Sequence, residues 1–310
     1  MATFRIPTKD GEQLFAWLIV PLGVYARKAQ DFIEEKPGQN DIEEKLAYKT
    51  LRNDPEARLL IYFHGNTATL AQGRRTEEYR MYSSGASDKI FVLTFDYRGF
   101  GHSTGQPSEP GLLKDAEAVV DWALNNTGVS PNRIVLLGHS LGTAVATGIA
   151  YHYANIDVPI EFAGLILCAA FTNTGNAFSA YSIGGVIPVL APIKLIPSLQ
   201  AWFSRQMRDT WRTDQRLATL AKRGSLQLVL VHAEDDGTMP WNQTEQLFAS
   251  TLKSATEGAE PRLQIVDLGE AGRQEIWRVG TRSISKLIAK HGGKFITPAS
   301  KRNRGLNLGL

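Results

Sequence analysis

Short apolar runs alternate with longer amphipathic stretches along most of the chain. An apolar run is typical of a strand covered on both faces, and an amphipathic stretch is typical of a helix with one exposed face. The pattern predicts strands at 58–63, 89–95, 133–137, 162–169 and 226–232, and helices at 70–84, 111–125, 143–153 and 241–252. This alternation predicts an α/β fold, with a mostly parallel sheet flanked by helices on both faces. A binding site is expected beyond the carboxyl ends of the strands.

Three segments depart from the alternation. Residues 4–20 predict two short strands around the turn Lys9-Asp10-Gly11, which would form an antiparallel edge. Residues 22–57 are rich in charge and predict two exposed amphipathic helices joined by a loop. Residues 171–217 combine an apolar glycine- and proline-containing stretch with aromatic residues, and their position predicts a cap over the site. The predicted divisions are a first core part at 1–170 that includes the insertion at 22–57, the cap at 171–217, a second core part at 218–295, and a divergent tail at 296–310.

Composition narrows the classes of function. Of 310 residues, 34 are basic and 31 acidic, and this near balance argues against a nucleic-acid partner. The hydrophobic content of 43% is enough for a substantial core. The only cysteine, Cys168, lies in an apolar run and is predicted to be a buried thiol. We expect no metal and no cofactor.

Targeting signals are not evident in the sequence. The first residues lack a basic region followed by an apolar core, so no signal peptide is predicted. The longest charge-free apolar stretch, 180–193, is interrupted by glycine and proline and is too short to span a bilayer. We therefore expect an intracellular, cytoplasmic location without a transmembrane helix.

The clearest chemical signal lies at residues 134–143, which read Ile-Val-Leu-Leu-Gly-His-Ser-Leu-Gly-Thr. An apolar strand, a sharp turn and a small-residue helix follow one another here. A serine on such a turn has a strained backbone and an exposed hydroxyl, and the flanking glycines let strand and helix approach each other closely. Ser140 is therefore the candidate nucleophile.

Acyl transfer also needs donors for the oxyanion. The backbone amide of Leu141 is one candidate, because it opens the helix, where the helix dipole favours negative charge. An amide at Asn66 or Thr67, directly after the strand 58–63, is the second candidate. His64, at the start of the same loop, is interpreted as structural.

The acid that orients the catalytic base is expected after the strand 226–232, where carboxylates cluster. Asp236 is the candidate because it directly precedes the turn-forming Gly237. Asp235 is the alternative.

Four motifs occur along the chain in a fixed order: His64-Gly65-Asn66, Asp96-Tyr97-Arg98-Gly99-Phe100-Gly101, Gly138-His139-Ser140-Leu141-Gly142 and Asp235-Asp236-Gly237-Thr238-Met239-Pro240. Together they resemble the alpha/beta-hydrolase superfamily, in particular its monoacylglycerol-lipase-like and lysophospholipase-like members and their fungal relatives with a proline-rich apolar cap. The resemblance implies an alpha/beta-hydrolase fold with a cap insertion. It also implies Ser140 as nucleophile and Asp236 as the residue that orients a catalytic histidine.

The position of that histidine is open. The family order places it after Asp236, where His291 is the only histidine. If residues 262–268 form the last strand, the following loop has Arg273 at the expected position. If residues 283–290 form it, the resemblance places Lys294 there. His291 is the candidate base, with Lys294 or no residue as the alternatives.

The resemblance implies hydrolysis of an apolar acyl ester or thioester through an acyl-enzyme on Ser140, with a monoacylglycerol or a lysophospholipid as candidate substrate. The alternative is a non-hydrolytic member that binds or rearranges an apolar, polyketide-like metabolite. The apolar cap residues could line an acyl pocket, touch a lipid surface, or pack the cap onto the core. The predicted partner is a small apolar acyl substrate, with peripheral contact to a membrane through the cap as a further hypothesis. The oligomeric state is not predicted.

Overall fold

The computed structural model describes residues 1–35, 41–66, 69–73, 75–180, 182–183, 187–188, 208–233, 236, 238–255 and 262–267. In this part the strands are β1 (Ala2–Pro7), β2 (Gln13–Ile19), β3 (Arg58–Phe63), β4 (Ile90–Phe95), β5 (Ile134–His139), β6 (Gly164–Cys168), β7 (Ser182–Ile183), β8 (Ile187–Pro188), β9 (Gln227–His232) and β10 (Arg262–Asp267). Eight of them form one sheet in the order β1-β2-β4-β3-β5-β6-β9-β10. The pairs β1–β2 and β2–β4 are antiparallel, and the other pairs of this sheet are parallel. The predicted fold, a mostly parallel sheet with an antiparallel edge, is confirmed.

Helices follow the strands as the alternation predicts. The described helices are α1 (Leu22–Arg27), α2 (Ala29–Glu34), α3 (Leu46–Arg52), α4 (Arg75–Tyr82), α5 (Glu109–Asn126), α6 (Leu141–Ala154), α7 (Thr174–Ala180), α8 (Thr213–Ala221) and α9 (Asn242–Ser254), with short 3-10 turns at Ile42–Glu44, Ser83–Ala86 and Pro131–Arg133. The helix predicted at 70–84 begins later than expected, at Arg75, and ends in a 3-10 turn. None of the described helices has the length and apolar character that crossing a membrane requires.

The burial of the strands explains why their sequences differ. All six residues of β4 are buried, because helices or loops cover both faces of the sheet at its centre. In β1 buried and exposed residues alternate strictly, because only one face of this edge strand packs on the core. Cys168, at the end of β6, is fully buried as predicted, and burial raises the pKa of its thiol.

The charged insertion differs from the expectation of two exposed helices. Around the undescribed residues 36–40, the structure has three short helices and a 3-10 turn. The last of these helices, α3, is not fully exposed: it buries Ala47, Tyr48 and Leu51. The spacing of these three residues places them on one face of the helix. The Tyr48 hydroxyl donates a hydrogen bond to the carbonyl of Asn126 (2.6 Å), which fastens the insertion to the end of α5.

The expected division into core, cap and tail stays a prediction. Of the predicted cap, residues 171–180, 182–183, 187–188 and 208–217 are described. The strand β10 corresponds to the first of the two placements considered for the last strand. The second placement, 283–290, and the tail at 296–310 lie outside the described residues.

Candidate active site

Ser140 lies at the turn between β5 and α6, at the carboxyl edge of the sheet. Its φ of 52° is in the left-handed region, which residues with a side chain rarely adopt. Its amide donates to the carbonyl of Cys168 (2.9 Å), and its own carbonyl accepts from the amide of Thr143 (2.9 Å). Although Ser140 directly precedes α6, its hydroxyl makes no capping hydrogen bond to that helix. The strained turn therefore does not use the hydroxyl to stabilise the helix start, which is consistent with a chemical role.

Two glycines allow this turn to form. A Cβ atom at Gly142 would lie 1.9 Å from the carbonyl oxygen of Phe63 in β3. A Cβ atom at Gly138 would lie 2.3 Å from the carbonyl oxygen of Gly142. Neither distance is sterically possible, so strand, turn and helix can come this close only with glycine at both positions. These contacts explain the glycine spacing around Ser140.

The candidate oxyanion donors lie beside Ser140. Leu141 is the first residue of α6, where backbone amides have no partner within the helix and the dipole favours negative charge. The loop after β3 passes close by, since a Cβ atom on Gly65 would lie 3.3 Å from the Cβ of Ser140. Asn66 lines the same cavity as Ser140 and Leu141. The structure thus brings these three predicted residues together, whereas Thr67 lies outside the described residues.

The loop that carries Asn66 is held from below by aromatic and polar contacts. The ring of Tyr97 lies 4.3 Å from the ring of His64, and its hydroxyl donates to the His64 carbonyl (3.0 Å). The buried carboxylate of Asp96 accepts from the amide of Leu70 (2.6 Å) further along the loop. Burial lowers the pKa of His64 to about 3, so the ring is neutral at physiological pH. These contacts agree with the structural role predicted for His64.

Asp236 lies just beyond the end of β9, and it is buried. Its Oδ1 accepts hydrogen bonds from the amides of Thr238 (2.8 Å) and Met239 (3.0 Å). Met239 lines the cavity that contains Ser140. The carboxylate therefore sits directly behind a residue of the cavity wall. Asp235, the alternative acid, lies outside the described residues.

A role that the sequence did not suggest belongs to His232, the last residue of β9. This histidine is fully buried, with Nδ1 2.6 Å from the Thr244 hydroxyl and Nε2 2.8 Å from the Met239 carbonyl. Since a carbonyl only accepts, Nε2 carries the proton and donates it to Met239. The same Nε2 lies 3.6 Å from Asp236 Oδ2. His232 thus fastens the loop of the candidate acid to β9 and α9.

The cavity at Ser140 has a volume of about 370 Å³. Its wall is mainly apolar, with a few polar groups from neighbouring loops, as is typical of sites for small ligands. The residues that line it, apart from those already named, are Phe100, Pro107, Ser108, Leu112, Phe171, Thr174, Ala177, Asp209 and Trp211. Five of them, Phe171, Thr174, Ala177, Asp209 and Trp211, lie within the segment 171–217 that the sequence predicts as a cap over the site. Phe100 belongs to the motif at 96–101, whereas no local motif marks Pro107, Ser108 and Leu112, which lie before and within α5.

The remaining predicted residues cannot be placed. His291, Lys294 and Arg273 all lie outside the described residues. Among the described residues that line the cavity, none is a histidine.

The chain matches the model of the "Alpha/beta hydrolase family" over residues 60–279. It is 34% identical over 193 residues to "Protein ABHD12B" of Homo sapiens, covering 61% of this chain and 49% of that protein. It is 33% identical over 198 residues to "Lysophosphatidylserine lipase ABHD12" of Gallus gallus, covering 63% of this chain and 48% of that protein. The chain therefore spans about half the length of these curated relatives.

Solved structures show the same fold at low sequence identity. Est1E from Butyrivibrio proteoclasticus, determined with bound ferulic acid, has a TM-score of 0.59 and 16% identity, covering 94% of this chain and 100% of that chain. The esterase Pf2001 from Pyrococcus furiosus has a TM-score of 0.57 and 14% identity, covering 94% and 89%. At these identities the likeness concerns the fold alone.

Proposed function

This chain belongs to the alpha/beta hydrolase family, and from that premise we propose that it is a serine hydrolase that cleaves the carboxylic ester of an apolar acyl chain. The observation that carries the proposal is the strained turn of Ser140 at the wall of a mainly apolar cavity. At the cavity wall the hydroxyl of Ser140 can attack the carbonyl of an acyl group, while the cavity binds the apolar part of the substrate.

In the proposed reaction, Ser140 Oγ attacks the ester carbonyl carbon while a general base removes the hydroxyl proton. The carbonyl oxygen becomes an oxyanion, which the amides of Leu141 and of Asn66 or Thr67 stabilise. Collapse of this intermediate breaks the ester bond between the carbonyl carbon and the alcohol oxygen; the leaving oxygen takes up the proton that the base removed from Ser140, and an acyl-serine remains. Attack by water then releases the fatty acid and restores Ser140. Asp236 orients the base in this scheme, and His291 is the proposed base.

A monoacylglycerol or a lysophospholipid is the proposed substrate class. Two observations support it: the apolar cavity wall and the relatives named as lysophosphatidylserine lipases. These names favour hydrolysis over the alternative of a protein that only binds or rearranges an apolar metabolite. Contact with a lipid surface through the predicted cap would give a lipid substrate a short path to the site.

Assays of lysophosphatidylserine and monoacylglycerol hydrolysis test the proposal. The released fatty acid is the measured product. The Ser140→Ala variant should lose activity by roughly 10⁵-fold or more, because the nucleophile is gone. Ser225→Ala is a matched control, since Ser225 is exposed and lies before β9, at the opposite edge of the sheet. Equal fatty-acid release by wild type and Ser140→Ala would contradict the proposal.

The base is tested separately by His291→Ala. If His291 removes the serine proton, kcat should fall by roughly 10³-fold to 10⁴-fold. His152→Ala serves as the control, because His152 lies exposed in the last turn of α6. An undiminished rate of His291→Ala would remove this residue from the mechanism and direct attention to Lys294.

A further inference from the structure

Residues 208–211, near the end of the predicted cap, form a short segment that leads into α8, and we call it the stem. Two of its residues, Asp209 and Trp211, line the cavity of Ser140. The carbonyl of Thr210 accepts a hydrogen bond from the amide of Thr174 (3.0 Å), so the stem pairs with the start of α7. The stem is therefore part of the cavity wall.

Glu109, the first residue of α5, holds the stem through both of its carboxylate oxygens. Its Oε2 accepts from the amides of Thr210 (2.7 Å) and Trp211 (2.8 Å). Its Oε1 accepts from Arg216 Nη2 (2.8 Å) in α8. In return, the amide of Glu109 donates to Asp209 Oδ1 (2.9 Å). Helix α5, the stem and α8 thus meet at one carboxylate, which is nearly fully buried.

Trp211 has a strained backbone conformation. Its φ is 43°, in the left-handed region, where a bulky side chain is a clear outlier. Such a strained conformation persists only where the surroundings enforce it. The carboxylate of Glu109 binds the amide of this strained residue and the amide before it. The indole is consequently held against the core, 5% exposed, at the cavity wall.

We propose that Glu109 is a positioning residue that keeps Trp211 in the wall of the cavity and so sets the binding of the apolar acyl chain. The role deepens the proposed function and rests on it, because the cavity is the one that would receive the acyl group. Glu109 itself does not line the cavity. It acts through the backbone of the stem.

Glu109→Gln is the variant that probes this role with the least change in shape. Glutamine has a single acceptor oxygen, so its amide group must face either the two stem amides or Arg216, all of which are donors. In either orientation the variant therefore loses its hydrogen bonds to the stem amides or its hydrogen bond to Arg216. Glu117→Gln is the matched control, since Glu117 lies on the same helix and pairs with the exposed Lys9.

Binding of the fluorescent fatty acid cis-parinaric acid is measured by titration, which requires no catalysis. Glu109→Gln and Trp211→Ala should each weaken binding by roughly tenfold, about the worth of one well-packed aromatic contact. Because Glu109 acts through Trp211, the double variant should bind no more weakly than Trp211→Ala alone. Glu117→Gln should bind like the wild type.

Three results would overturn the proposal: no saturable binding by the wild type, wild-type affinity in Glu109→Gln, or additive losses in the double variant. Circular dichroism checks that each variant is folded. If Glu109→Gln does not fold, Arg216→Met replaces it, because this variant removes one partner of the Glu109 carboxylate. It should weaken fatty-acid binding, and combined with Trp211→Ala it should bind no more weakly than Trp211→Ala alone. Ester hydrolysis is measured in parallel. Fatty-acid binding that follows these expectations without hydrolysis would refute the proposed activity and leave the role of Glu109 intact.

Discussion

At the residue scale, two positions of the cavity wall, Ser140 and Trp211, have a constrained backbone with positive φ. The strained turn at Ser140 could be predicted from sequence, since glycines on both sides of a serine between a strand and a helix form a local pattern. The contacts between Glu109 and the backbone of Trp211 could not be predicted, because these residues lie a hundred positions apart in the sequence. His232 was missed in the same way, since its partners Met239 and Thr244 become visible only once β9 and α9 have packed.

Asp236 permits a test at the residue scale. In Asp236→Asn the side-chain oxygen can still accept from the amides of Thr238 and Met239, so the loop should keep its shape. The negative charge that would orient and stabilise a protonated base is lost, and kcat should fall by roughly 10⁴-fold. Steady-state hydrolysis with purified, folded protein measures this effect. Asp235→Asn is the adjacent control, and a larger loss in that variant than in Asp236→Asn would transfer the role to Asp235.

Most elements of the fold were predictable because their burial leaves a direct trace in the sequence. β3 and β4 are continuous apolar runs since the sheet is covered on both faces, whereas β1 and β2 alternate because they form an edge hairpin. The insertion was less predictable. Only a few apolar residues of α3 pack on the core, and charged neighbours mask them in the sequence.

Helix α4 contains a buried carboxyl group that the sequence did not reveal. Glu78 points into the core, 3% exposed, with its Oε2 3.5 Å from the hydroxyl of Tyr62 in β3. Burial raises the pKa of this carboxyl to about 7, and the charge of Arg75 opposes the shift. The folded protein therefore holds a proton at Glu78 at pH values where the unfolded chain, with an ordinary pKa of 4.5, has lost it.

This difference predicts the pH dependence of stability. The contribution of protonated Glu78 is fully present below about pH 4.5 and is lost as the pH rises to about 7, which is worth roughly 3 kcal/mol. Glu78→Gln removes the titrating group, so its free energy of unfolding should rise relative to the wild type between pH 5 and pH 8. Urea unfolding at both pH values measures the change. Glu77→Gln, at an exposed position of the same helix, removes only the smallest contribution to the raised pKa of Glu78 and should show a much weaker trend; an equal trend in both variants would contradict the assignment.

At the scale of the whole molecule, the sheet collects distant segments at one edge. The loops after β3, β5 and β9 bring Asn66, Ser140 and Asp236 to that edge, although they are far apart in the sequence. This convergence follows from parallel strands and was predictable. The sequence predicted that the segment 171–217 would lie over the site, but the exact shape of the cavity was not predictable, because it depends on how α5, α7 and the stem pack.

The family match covers residues 60–279, so the insertion up to residue 57 lies outside it.

A fluorophosphonate probe tests most directly whether Ser140 is an activated nucleophile. The probe reacts covalently with the hydroxyl of a serine whose base and oxyanion donors are in place. Labelling of the folded wild type, with the adduct mapped by mass spectrometry to the peptide that contains Ser140 and absent in Ser140→Ala, is the predicted result. A folded wild type that is not labelled, or an adduct on another residue that persists in Ser140→Ala, would contradict the claim.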